Sequence, residues 1–175
     1  MSEMEDFFNE FTQDLLASVG SEGGFTKGRF VDQMCSMFVD QGVIPSYVQT
    51  NDKPGRGMDL DAWCHNEELN RLTLFICDHR PSGKLESLSQ KQIEIHFKRL
   101  TNLVEACHKD SFLEKLEEAS DVTDFALFIR ERYQDIRSVH LVLLSNARIS
   151  GRVNQLPGAD LPKDRVIDGV DMRPA

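Results

Sequence analysis

Three aspartates, two cysteines and two histidines crowd the stretch GMDLDAWCHNEELNRLTLFICDHRPSG, residues 57–83. Asp59, Asp61 and Asp78 are the residue type that gathers a divalent cation for metal-dependent phosphodiester cleavage. That chemistry needs carboxylates converging on Mg²⁺ and a group that helps deprotonate water. Cys64-His65 and Cys77-x-His79 supply zinc-type ligand atoms. Zinc wants a tetrahedron, usually built from tight loops, and the neighbours Cys64 and His65 point to opposite sides of a strand. Cys77 sits in an apolar run, where burial raises a thiol pKa and removes its reactivity. The plainest reading is a sheet with polar ends.

The elements that must position these residues are legible from periodicity. Phe7, Phe8, Phe11, Leu15, Leu16 and Val19 recur at helical spacing and predict a first helix ending near Gly20. A second follows in KGRFVDQMCSMFVDQG, with Phe30, Met34, Met37 and Phe38 on one side and Gly42 as its C-terminal cap. IPSYVQT reads as an edge strand and NDKPGRG as a turn. A hairpin is predicted next: a strand over 58–64, a reversal in HNEELN, and a strand over 71–77. LTLFIC is apolar on both faces, which places it centrally in a sheet covered on each side. Ser89 and Gln92 form a capping box ahead of a helix striped by Ile93, Phe97, Leu100, Val104 and Cys107. SFLEKLEEA carries its own Ser-x-x-Glu start, and Asp121 reads as the cap of VTDFALFIRERYQD. SVHLVLLS is a second strand apolar on both faces. The Pro- and Gly-rich remainder includes a candidate edge strand near Val166.

A length of 175 residues suits one domain, and eleven phenylalanines can supply a core. The net charge of −9 opposes nonspecific binding of nucleic acid, although a local basic cleft stays open to it. No run approaches the ~20 apolar residues that span a bilayer. The acidic start MSEMEDFFNEF lacks the form of a signal peptide, so the expected setting is the cytoplasm. Cys35, Cys64, Cys77 and Cys107 contain no Cys-x-x-Cys pair, and buried free thiols are expected.

Helix, three-strand meander, helix and strand together resemble the core of the PD-(D/E)XK restriction-endonuclease-like fold. The local text goes further. FFNEFTQDLL, a second helix ending in DQG, DLDAW, LTLFICDH, LSQKQIEIHFKRL and HLVLLSNARISGR together resemble the N-terminal domain of the abortive-infection phage-resistance (AIPR) family, over roughly residues 4–153. The resemblance implies an α/β, three-layer, restriction-endonuclease-like domain. Its mixed central sheet would carry helices on both faces, with an added N-terminal helical pair. It implies a nuclease-like domain over 1–153 and, over 154–175, the start of a further region of a longer protein.

By position, the resemblance nominates Asp61 on the first hairpin strand, Asp78 and Arg80 in DHR, and Glu10 on the first helix, with Asp59 as a second choice. Asp61 and Asp78 would be the metal ligands and Mg²⁺ the ion. The departures are that Arg80 stands where the fold carries lysine, and that Asp78 ends its strand. Arginine keeps its proton, so it can hold phosphate but is a poor activator of water. Two function classes follow. One is a degenerate nuclease-like module for sensing or assembly, partnered by a second copy or by the C-terminal region of the same protein. The other is a Mg²⁺-dependent nuclease acting on DNA or RNA. The acidic balance and the missing lysine favour the first.

Overall fold

A computed structural model describes the chain at residues 26–80, 85–116, 120–150 and 166–170. The predicted first helix, with Glu10, lies outside the described residues. The described elements run α1 (Thr26–Asp40), β1 (Val48–Gln49), β2 (Ala62–Asn66), β3 (Arg71–Asp78), β4 (Ser87–Leu88), α2 (Gln90–Cys107), α3 (Asp110–Lys115), α4 (Val122–Arg132), a 3₁₀ turn (Tyr133–Asp135), β5 (Ser138–Ser145), β6 (Arg148–Ile149) and β7 (Val166–Val170). Five strands make one mixed sheet in the order β1-β2-β3-β5-β7, and β4 and β6 pair separately. β1, β2 and β3 form an antiparallel meander, whereas β5 runs parallel to β3 and β7 parallel to β5.

β3 is central because its side chains are apolar on both faces. Leu72, Leu74 and Ile76 join a core with Phe97 and Leu100 of α2 and Phe125 and Ile129 of α4. Phe75 and Cys77 join a second core with Phe30, Met34 and Phe38 of α1. The alternation of period two thus feeds two separate layers of helix across one sheet. β5 does the same, sending Val139 and Leu141 to the first core and Val142 and Leu144 to the second. The result is an α/β domain with a mixed sheet between helices. Every residue of the predicted α2 stripe, from Ile93 to Cys107, is buried.

Local signals fare unevenly. The Ser89–Gln92 capping box is present in both directions. Gly42 follows α1 at φ +74°, a conformation that glycine reaches cheaply. The first hairpin strand, predicted over 58–64, instead covers Ala62–Asn66. The reversal needs only the four residues from Glu67 to Asn70, because Asn70 takes φ +49° and the Asn66 side chain accepts from the Leu69 N–H. His65 and Asn66 are thereby released to pair with Leu72 and Arg71. Upstream, Met58 is spent on a bridge to Gly55.

Two predicted caps do not form. α3 starts at Asp110, one residue ahead of Ser111, after Lys109 and without a side-chain cap. Asp121 precedes α4 but caps nothing. Its carboxylate accepts instead from the Asn51 and Asp52 N–H groups, at 2.6 and 3.2 Å, while the Asp52 carboxylate accepts from the Asp121 N–H. This reciprocal clasp ties the loop after β1 to the start of α4.

Candidate functional site

The candidate carboxylates gather where β3 ends. Asp61 immediately precedes β2. The Asp61 N–H donates to the Phe75 carbonyl at 2.9 Å, and one Asp61 carboxylate oxygen accepts from the Cys77 N–H at 2.7 Å. Asp61 is therefore buried, with a side chain that continues the ladder in place of backbone. Its other oxygen lies 3.2 Å from the Lys27 ammonium on α1, and Asp59 lies 3.7 Å from the same ammonium.

Burial pushes the Asp61 carboxyl above its ordinary value against the pull of Lys27, and Asp59 pushes the same way. Burial alone would lower Lys27, but Asp61 and Asp59 together outweigh it and hold the ammonium above its ordinary value.

Asp78 has a different set of partners. As an even-numbered position of β3 it projects to the side of Leu72, Leu74 and Ile76, towards α2. There its carboxylate meets His96 Nε2 at 2.9 Å and Arg80 Nε at 3.2 Å. The hydrogen bond from His96 leads, and Arg80 adds to it; together they overcome burial and hold the Asp78 carboxyl at about 2. Arg80 is consumed in this structure. Its guanidinium also donates to the Ser87 carbonyl and to Gln92 Oε1 and pairs with Glu86 at 3.5 Å. Its backbone is clasped at both N–H and carbonyl by the Asn146 amide.

Asp61 thus turns to the α1 side through Lys27, and Asp78 to the α2 side through His96. They share no partner. The position two before Asp78, on the same side, is the fully buried Ile76, which has nothing to ligate with. Among the described residues, no group of three or more His, Cys, Asp or Glu is arranged to hold a metal ion. Mg²⁺ takes near-octahedral oxygen ligation. Carboxylates facing apart, each already bound to a cation of the chain, do not fit it.

The remaining candidates resolve as packing. All four cysteines are free and buried. Burial drives Cys77 well up, with Asp61 adding to the effect. Cys64 enters the α1-side core, while His65 bonds Asn70 and lies against Phe128 on the other side, so the pair faces apart as its spacing requires. Trp63 packs under α4 against Phe125 and Phe128. Lys27 and His96, the partners that define the site, had no sequence signal as partners. Lys27 merely opens a helix, and His96 reads as a semi-buried helical histidine.

The fold and this end of β3 define a class: an α/β domain with a mixed sheet between helices, in which Asp61 and Asp78 are each held by an internal ion pair. The chain belongs to the abortive infection phage resistance protein N-terminal domain family, whose model matches residues 30–172. No curated protein and no solved structure matches it. It is accordingly a module of a phage-resistance, abortive-infection protein. Among the described residues no helix is long and apolar enough to cross a membrane.

Proposed function

We propose that this domain is a restriction-endonuclease-like module that has lost cleavage chemistry and serves a phage-defence protein in sensing or assembly. The observation that carries this reading is the occupation of each candidate carboxylate by a cation of the chain itself, Lys27 on Asp61 and Arg80 on Asp78, with His96 hydrogen-bonded to Asp78 as well. Support for the fold kinship is the order helix, antiparallel meander, helix and parallel strand around one mixed sheet. The partner in assembly would be a second copy or the C-terminal region of the same protein. The setting would be the cytoplasm, where four free thiols stay reduced.

The experiment is a thermal melt in millimolar Mg²⁺ or Mn²⁺, run beside incubation with single- and double-stranded DNA and RNA. The expected result is an unchanged melting temperature and intact nucleic acid. A ligand that binds only the folded state raises its stability, so a metal-dependent rise abolished by Asp61→Ala, with cleavage, overturns the proposal. Such a result would favour the second reading, a metal-dependent nuclease. That reading draws on Asp59 and Asp61 lying together on one ammonium, since displacing Lys27 would leave two neighbouring carboxylates.

A further inference from the structure

At the opposite end of β3, on the α1 side of the sheet, lies a cavity of about 170 Å³. Adjacent strands supply its floor: Phe75 and Thr73 from β3, Val142 and His140 from β5, and Cys64 from β2. Val43, Ile44 and Pro45, just beyond α1, form its rim. Arg71, the first residue of β3, reaches into the same space. Its Nε is buried without a hydrogen-bond partner. Among the described residues no carboxylate pairs with its guanidinium. Among the described residues that line the cavity none is acidic.

We infer that this cavity is a binding site for a small carboxylic acid with an apolar body about the size of one six-membered ring, its carboxylate held by Arg71. Size sets the body: an apolar cavity of ~150 Å³ accepts benzene, and this one is slightly larger. Chemistry sets the head group. A partly buried cation without a counter-ion is costly, and the guanidinium fork matches a carboxylate in two parallel hydrogen bonds. Thr73 and His140 add polar atoms beside it, while Phe75, Val142 and Ile44 exclude water from the body. Seven residues along β3 separate Arg71 from Asp78, ~23 Å at the rise of a strand. The site is therefore independent of the carboxylates discussed above and of whether they cleave anything.

Benzoate is the probe, read by amide chemical shifts of Thr73, Phe75, His140 and Val142 in the intact chain. Saturable shifts confined to this cavity are expected, with a Kd of about 1 mM or tighter for so small a ligand. Benzamide, of the same shape without the charge, should bind at least about tenfold more weakly, as should benzoate to Arg71→Gln. Inorganic phosphate should also bind more weakly, because it leaves the apolar floor uncovered. The benzamide comparison uses unaltered protein and decides the matter even if Arg71→Gln does not fold. The proposal fails if benzoate leaves these amides unmoved, if benzamide matches benzoate, if phosphate matches it, or if a folded Arg71→Gln binds benzoate as well as the parent does.

Discussion

Asp78 shows how neighbouring donors hold a carboxylate in its ionised form. His96 and Arg80 lower its pKa from 3.8 to about 2 in the folded chain. The unfolded chain therefore binds more protons than the folded one between those values. The stabilisation is full above the unfolded value and disappears as pH falls through the folded one. The shift is worth about 2 kcal/mol at neutral pH. Urea unfolding of the parent and of Asp78→Asn should show the gap between them shrinking as pH drops from about 4 towards 2. A gap that stays constant over that window would mean that Asp78 is not held by these partners. Asp61 behaves oppositely, since burial raises its carboxyl. Its ionised form is tolerated because Lys27 and the Cys77 N–H attend it.

At the level of elements, the ends of helices and strands are joined by side chains that bond backbone groups of distant segments. The Asn146 amide holds both backbone groups of Arg80, closing the end of β3 onto the turn after β5. Arg130 on α4 donates to the His108 carbonyl, at the C-terminus of α2, and pairs with Asp110 at 2.6 Å. A cation is favourable at that end of a helix dipole. The Asp121–Asp52 clasp works in the same way. Asp121→Ala should cost about 1 kcal/mol, because two backbone N–H groups lose a charged acceptor but can turn to water. Hydrogen exchange should quicken at Asn51 and Asp52 while α4 keeps its protection. If α4 loses protection equally, Asp121 acts as a helix cap after all. The reading of Asp121 and Ser111 as caps failed for one reason. A cap is a local motif, but which backbone N–H a carboxylate meets depends on what packs beside it.

Across the whole molecule, the sheet is bounded on one side by the two-residue β1 and on the other by β7. β7 pairs with β5 from Ser138↔Val166 to Val142↔Val170. Removing residues 166–175 strips that partner and leaves the inner strand β5 with an open row of N–H and carbonyl groups. Such an edge is a template for pairing with another chain. The truncated chain should melt earlier than the parent and elute from size exclusion as larger species. A truncated form that elutes like the parent with an unchanged melting temperature would show that β7 contributes nothing to the sheet.

Much of this architecture was legible in the sequence. Runs such as LTLFIC and SVHLVLLS carry their own burial instructions, because a strand apolar on both faces must be covered on both. The α2 stripe and the Ser89–Gln92 box are likewise local, whereas a strand near Val166 was one of two readings of the tail, the other being a frayed end. The candidate site was legible only as a set of residues. Asp61, Asp78 and Arg80 could be named, but their partners Lys27 and His96 come from helices on opposite sides of the sheet. A carboxylate's role is set by the charges within a few ångströms of it, and that neighbourhood is a property of packing across layers. Sequence alone therefore determined the central strands β3 and β5, the helix α2 and their order; only the tertiary structure decided that the two carboxylates face apart, each with a cation of its own.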